Sequence, residues 1–305
     1  MILAAKHTPW GGMPLPPMDQ QGLTRMTTAS WRPLGGIDPA ALRAARIQAH
    51  HAAQWLARTA RAYISPRPED AHTNLGWDEP FGGLVTHPLP DGARLALHIT
   101  DLTLLLRESS ESKPADVFAL DGRRDADARE WLGRHARARG LDPQALDAPL
   151  PYPVPATALA GGGATTAAAL AEPLAELATW FSDANGALAA MRPWLVARKI
   201  DAPPVRCWPH HFDLDTLVTL APGRTSGIGF EPGDEYYDEP YFYVSLYPAP
   251  DAASLPPLPA VGHWHRKDFT AAIAPAHRIV AAKDQGVEVA AFLQAAVAAA
   301  IAALR

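Results

Sequence analysis

Residues 241–247 read Tyr-Phe-Tyr-Val-Ser-Leu-Tyr, and this alternation is the strongest fold signal in the sequence. Successive side chains of a β-strand point to opposite faces, so the three apolar residues at even positions share one face. The three tyrosines and Ser245 share the other face. The segment therefore predicts a strand with one face suited to a hydrophobic core and a second face that is a half-polar aromatic surface.

Helical and extended patterns alternate with this strand along the chain. Asp38 and Pro39 predict the N-cap and first turn of a helix that continues to Tyr63. Further helical patterns cover 125–139, a segment that starts near 172, and 287–304, while extended patterns fall mainly within 77–106 and 212–273. Helices grouped around antiparallel hairpins predict an α+β fold with antiparallel sheets packed against helices.

Composition shifts divide the chain into four segments. We predict an extended N-terminal arm (1–37), a first α+β unit (38–148), a Pro/Gly-rich linker (149–163) and a second α+β unit (164–305). Both units show the order helix, strands, helix. The run from Trp77 to Thr86 also resembles the run from Trp208 to Thr219, which predicts two duplicated units in which Thr86 matches Thr219.

Charge and cysteine content exclude several protein classes. Lys and Arg number 27 against 32 Asp and Glu, a net charge of −5, and no long basic run provides a nucleic-acid footprint. The single cysteine excludes an intramolecular disulfide framework and suits a reducing cytoplasm. The bulky residues of 287–304 recur at helical spacing, which favours a packed helix over a membrane span. We expect a cytoplasmic protein without nucleic-acid or membrane partners, and homo-oligomerisation stays open.

Acidic and tyrosine residues are concentrated between 231 and 247. Five acids lie within 231–239, and five of the seven tyrosines lie within 236–247. Ring faces and carboxylates together attract cations or ring-bearing molecules, so Asp234, Glu239, Tyr241 and Tyr243 are predicted ligand-binding residues. The alternative interpretation is an ordinary strand whose tyrosines pack under a helix with their hydroxyl groups at the edge.

Histidines suggest a second chemistry, the binding of a divalent metal. If residues 210–215 are extended, His211 and Asp213 share a face, and a His and an Asp two residues apart can ligate one metal. The remaining predicted metal ligands are His210, His263 and His265. The alternative is that these histidines cap backbone groups at strand ends, since a metal needs a third ligand from elsewhere.

Four motifs, spread over most of residues 50–250, resemble a family. They are His72-Thr-Asn-Leu-Gly-Trp77, Asp101-Leu-Thr-Leu-Leu-Leu106, Cys207-Trp-Pro-His-His-Phe-Asp213, and Pro232-Gly-Asp-Glu-Tyr236 leading into Glu239-Pro-Tyr-Phe-Tyr-Val244. With them the chain resembles a bacterial family of uncharacterised proteins. The resemblance implies a bacterial, cytoplasmic protein and supplies no activity, cofactor or catalytic residue.

These patterns allow three functional hypotheses, but they do not specify a reaction. The favoured hypothesis is small-molecule binding by a surface of the second unit lined with Tyr, acid and His side chains. The alternatives are a metal-dependent hydrolase that uses the His-His-x-Asp and His-x-His motifs, and a structural or partner-binding protein. We expect residues 207–213 and 231–247 to converge on one concave surface.

Overall fold

The computed structural model describes residues 31–108, 116–154, 156–251 and 254–305. Within these ranges the chain forms five α-helices and two antiparallel sheets, which confirms the α+β class. The helices are α1 (Pro39–Tyr63), α2 (Asp125–Ala138), α3 (Ala171–Val196), α4 (Ala276–Val280) and α5 (Gln285–Leu304). The α1 start follows the predicted cap, because the Asp38 carboxylate accepts from the Ala40 amide at 2.9 Å.

The first sheet has five strands in chain order. They are β1 (Gly76–Asp78), β2 (Gly83–Val85), β3 (Arg94–His98), β4 (Thr103–Arg107) and β5 (Asp116–Ala119). Every neighbouring pair is antiparallel, so the sheet is a simple meander.

The second sheet has six strands in the spatial order β10-β11-β9-β8-β7-β6. They are β6 (Arg206–Trp208), β7 (Asp213–Ala221), β8 (Arg224–Glu231), β9 (Tyr241–Ser245), β10 (His263–His265) and β11 (Ala271–Pro275). All of these pairs are also antiparallel. Residues 231–241 connect β8 to β9 at one end of this sheet.

The two sheets meet edge to edge. Leu75, which precedes β1, and Cys207 of β6 exchange two backbone hydrogen bonds of 2.9 and 2.8 Å. Both side chains are fully buried, so this junction lies on the core side of both sheets.

One hydrophobic core serves both sheets. Phe181 of α3 is fully buried, and its ring lies 5.6 Å from that of Trp77 in β1, 5.0 Å from Phe212 and 5.7 Å from Phe230 in β8. The buried apolar residues of this core come from the whole described chain, from Leu34 to Leu304. The even positions of β9 face this core, as the alternation predicted, because Phe242 and Val244 are completely buried.

The residues matched in the predicted duplication lie in the first two strands of each sheet or directly beside them. Trp77 lies in β1 and Trp208 in β6, and Thr86 directly follows β2 while Thr219 lies in β7. The later strands differ, since β11 inserts between β9 and β10 whereas the first sheet keeps chain order. A common origin of the two units stays a prediction.

The predicted arm is described only for its last residues, 31–37, and residues 1–30 lie outside the described ranges. The Trp31 indole donates to the Gln285 side chain at 3.1 Å, and Leu34 is buried. The carboxylate of Glu176 accepts from the amides of Gly35 and Gly36. These contacts fix the entrance to α1 against α3 and α5.

One helix of the described residues, α5, is long and apolar enough to cross a membrane by its length and composition. In this structure 56% of its most apolar window is buried inside the protein. Phe292 and Leu293, for example, are fully buried in the shared core.

Replacing Phe181 with Ala should destabilise both units together. Truncation of a fully buried phenylalanine costs about 3–5 kcal/mol, and this ring contacts residues of both sheets. In urea unfolding, tryptophan fluorescence and far-UV circular dichroism should shift together in Phe181→Ala. Val196→Ala, at an exposed position of the same helix, should stay within about 0.5 kcal/mol of the wild type. Two separate transitions would show that the units do not share one core.

Candidate functional site

The second sheet carries polar and aromatic residues on the face opposite the core. Directly paired residues of neighbouring strands point to the same face. The odd-numbered residues of β7, of β9 and of the end of β8 therefore all lie on this open face. Tyr243 pairs with Gly229, and Gly229 pairs with Asp215. Tyr241 pairs with Glu231, which lies one residue beyond the Leu214–Phe230 pair and therefore beside Asp213.

Glycine at 229 allows the Tyr243 ring to lie across β8. A Cβ at that position would stand 2.4 Å from Tyr243 Cζ and 2.6 Å from the Leu214 carbonyl oxygen, well inside van der Waals contact. The ring reaches over the glycine to β7, where the Tyr243 hydroxyl donates to Asp213 Oδ2 at 2.5 Å. The Tyr243 side chain, which crosses Gly229 to reach Asp213, thus links β9, β8 and β7 on the open face.

Beside this tyrosine lies a cleft of about 160 Å³. Its walls combine polar and apolar side chains from β7, β8, β9 and β11 and the loops around them. The lining residues are His211, Asp213, Glu231, Asp234, Tyr241, Tyr243, Ser245, Phe269, Ala271 and Ile273.

Two carboxyl groups in the cleft are buried and incompletely hydrogen-bonded. Asp213 is 5% exposed and Glu231 4% exposed. Asp213 Oδ1 and Glu231 Oε1 have no hydrogen-bond partner among the described residues. Burial raises the pKa of Asp213 to about 6, although the Tyr243 hydroxyl and His211 act against the rise. Burial first, and then the negative charge of Asp213, raises the pKa of Glu231 well above its usual value.

Asp215 adds a third carboxyl group behind the Tyr243 ring. Burial and the neighbouring Asp213 charge raise its pKa well above the ordinary value. Its Oδ1 atom also lacks a hydrogen-bond partner within the described ranges. Ionisation of these three neighbouring acids is therefore unfavourable, and a nearby positive charge would lower its free-energy cost.

The 231–241 connection closes one side of the cleft. Asp234 Oδ1 accepts from the backbone amides of Tyr236 and Tyr237 at 2.8 Å, and its Oδ2 accepts from the Tyr241 hydroxyl at 2.8 Å. Gly233 has a φ of +120°, and Arg46 Nη1 occupies the space that a Cβ there would need. Arg46 reaches the loop from α1 and pairs with Asp238 at 3.2 Å, so it holds the loop from outside the cleft.

The predicted ligand-binding residues divide between two places. Asp234, Tyr241 and Tyr243 line the cleft. Glu239 does not, because the loop turns away after Asp238 and the Glu239 carboxylate binds the amide and the ring of His277 at 2.8 and 2.7 Å. Glu239 therefore lies apart from the other three, since residues beyond the turn no longer follow the strand alternation.

The predicted metal ligands are not assembled into one site. Among the residues that the structure describes, no three His, Cys, Asp or Glu side chains are arranged to hold a metal ion. His211 and Asp213 do share the cleft. His210 does not line the cleft, but its ring centroid lies 4.3 Å from that of His211 and 5.5 Å from that of Tyr152, and burial lowers its pKa to about 4.

The two adjacent histidines lie in a turn and not in an extended strand. Residues 209–212 connect β6 to β7, Phe212 has a φ of +70°, and its amide donates to the Trp208 carbonyl at 2.7 Å. The strand begins only at Asp213, so the extended geometry expected for 210–215 holds only for its second half.

His263 and His265 contact the same tyrosine hydroxyl group. His263 Nε2 and His265 Nδ1 lie 3.0 and 2.9 Å from the same Tyr237 hydroxyl oxygen. They therefore fix the loop that carries Asp234, which is a positioning role the sequence pattern did not indicate.

Glu231, Phe269 and Ile273 belong to the cleft although sequence reasoning did not select them. Glu231 was counted among the five acids, and its position at the end of β8 could have been inferred by pairing that strand with the tyrosine face of β9. Phe269 and Ile273 follow only from the insertion of β11 beside β9, which no local pattern specifies.

The comparisons with known proteins give a family for the last part of the chain. Residues 223–304 match the model of a family of unknown function, DUF5996. The match includes the Pro232–Val244 motif and confirms the resemblance to an uncharacterised family. No curated protein and no solved structure matches the chain.

Gly229→Ala should displace the Tyr243 ring and break its hydrogen bond to Asp213. Overpacking at a site bounded by backbone costs about 1–3 kcal/mol, and the lost bond adds to it. Chemical unfolding should show this loss. Gly186→Ala in α3 is the matched control, since apart from its chain neighbours and the nearby backbone of its own helix no described atom lies within 4 Å of its Cβ position, and it should be neutral or stabilising. A Gly229→Ala protein as stable as the wild type would contradict the arrangement.

The buried acids should make stability fall as pH rises. Because the pKa of Asp213 is about 6 when folded and about 4 when unfolded, the folded state binds the proton more tightly and loses that advantage between pH 4 and 7. Asp213→Asn should therefore gain stability relative to the wild type over this range, measured by urea unfolding at several pH values.

A carboxyl group with the opposite shift supplies the control. The Arg129 guanidinium lowers the pKa of Asp147, so Asp147→Asn should lose stability relative to the wild type as pH rises through the range below about 4. A constant difference between Asp213→Asn and the wild type from pH 4 to 7 would refute the raised pKa of Asp213.

Proposed function

We propose that this protein binds a small organic cation in the cleft between Asp213, Glu231 and Tyr243. The observation that carries the proposal is the pair of buried carboxyl oxygens, Asp213 Oδ1 and Glu231 Oε1, that have no partner within the described residues and belong to side chains lining one cleft. Buried acceptors are normally satisfied, so two unsatisfied ones on adjacent strands indicate a ligand that completes them.

Electrostatics favours a positively charged ligand. Two neighbouring carboxylates in a buried site repel each other, and they become ionised together only when a cation or donors compensate. Arg46 favours the charged form of Glu231; its Nη2 pairs with Asp238, and its buried Nη1 has no hydrogen-bond partner among the described residues. A cation in the cleft would supply the compensation directly to both acids.

The walls favour an organic cation over a metal ion. Phe269, Ala271 and Ile273 form an apolar side opposite the acids, and Tyr241 and Tyr243 add aromatic surface. Small-molecule sites commonly combine an apolar lining with a few placed polar groups. A divalent ion would gain nothing from the apolar side and would need more oxygen or nitrogen ligands.

The volume limits the size of the ligand. A cleft of about 160 Å³ is close to the roughly 150 Å³ of an engineered protein cavity that accommodates benzene. A charged group with a single ring or a short chain fits this space, and a larger molecule would extend into solvent.

Calorimetric titration with benzylamine and with benzyltrimethylammonium should detect binding of at least one cation, whereas neutral benzyl alcohol should bind much more weakly. Glu231→Gln should reduce the affinity by about tenfold or more, since the amide cannot balance the ligand charge. Glu239→Gln changes a carboxylate of the same loop outside the cleft and should leave the affinity unchanged. Binding of neither cation above the level of benzyl alcohol would overturn the proposal.

A further inference from the structure

The arrangement of the unpaired oxygens specifies the kind of cation. We infer that the cleft selects a primary ammonium group, carried on a small ring or a short alkyl chain, over a quaternary ammonium group of the same size. The inference rests on the proposed function and narrows it to one ligand class.

Each of the two acids offers one oxygen to the ligand. Asp213 Oδ2 already accepts from the Tyr243 hydroxyl, and the backbone of Gly233 favours the charged form of the Glu231 carboxyl group. That leaves Asp213 Oδ1 and Glu231 Oε1, which lack partners in the described part of the chain. The ligand thus meets two separate acceptors on neighbouring strands.

Two acceptors from different carboxylates suit the ammonium geometry. A primary ammonium group is a compact charge with three donors that can point to different acceptors. A guanidinium group instead pairs best with both oxygens of a single carboxylate, and Tyr243 blocks that mode at Asp213.

A quaternary ammonium group would leave both oxygens unsatisfied. It carries no N–H donor, and its methyl groups would displace any water that could serve these buried acceptors. Sites for quaternary cations surround the charge with aromatic faces. Here the tyrosine hydroxyl groups are committed, Tyr241 to Asp234 and Tyr243 to Asp213, so the rings cannot rearrange freely into such a cage.

The opposite wall takes the rest of the ligand. Phe269 and Ile273 lie beside the cleft with Ala271 between them, and Ala271 and Ile273 are fully buried. Phe269, which is only partly buried, gives a ring or short chain on the ammonium group an apolar contact while the charged end lies towards Asp213 and Glu231.

The test compares benzylamine with benzyltrimethylammonium, which share the ring and the charge and differ in the N–H donors. In calorimetric titrations at pH 7.5 the wild type should bind benzylamine at least about tenfold more tightly, equivalent to about 1.4 kcal/mol. Glu231→Gln and Asp213→Asn should each reduce this ratio, because each replaces a charged carboxylate oxygen with an NH2 donor and so weakens the charge-assisted N–H bonds. Glu239→Gln should keep the wild-type ratio.

The possible results separate the two claims. Equal affinities, or a preference for benzyltrimethylammonium, would overturn the ammonium selectivity and leave the binding of organic cations intact. Binding of neither cation would overturn both. If one variant fails to fold, as judged by its thermal unfolding, the wild-type ratio and the other variant still decide.

Discussion

The hydrogen bond from Tyr243 to Asp213 is the interaction on which the open face of the second sheet depends. It spans the width of one strand, so the strand between them must present glycine where the ring crosses, and Gly229 does so. The bond occupies one oxygen of Asp213 and leaves the other buried and without a partner among the described residues. The same bond therefore builds the sheet surface and creates the incomplete site beside it.

The rest of the site holds in place the 231–241 connection, which closes the cleft beside Asp213 and Glu231. The Tyr237 hydroxyl is held by two histidines of β10, and Asp234 organises its loop through the amides of residues 236 and 237. Arg46 reaches the outside of the loop from α1 through the space left by Gly233. Helix α1 and the 231–241 connection therefore keep the cleft preorganised, which reduces the entropy lost when a ligand binds.

Much of the fold could be predicted because its signals are local. The period of two in 241–247 identified the core face and the tyrosine face, and Asp38 with Pro39 identified the start of α1. The site required non-local information. Glu231 joins Asp213 only through the register of β7 and β8, and the apolar wall appears only because β11 lies beside β9.

The errors arose where a turn interrupts a strand pattern. Alternation was extended through 210–212, where Phe212 adopts a positive φ and the chain forms a turn, so that His210 stays outside the cleft. The loop after Asp238 likewise takes Glu239 to His277. The spacing rules used for the metal ligands assume a regular strand. His210 and His211 lie before the start of β7, and His263 and His265 are the first and last residues of β10.

The central claim is that Asp213 and Glu231 are a buried acidic pair completed by a bound cation. Site-resolved ¹³C NMR titration of the side-chain carboxyl groups, with and without benzylamine, tests it most directly. The account predicts that both groups titrate well above the ordinary carboxyl range in the free protein and that both pKa values fall when the amine binds. Ordinary pKa values near 4 in the free protein, unchanged by the amine, would contradict it.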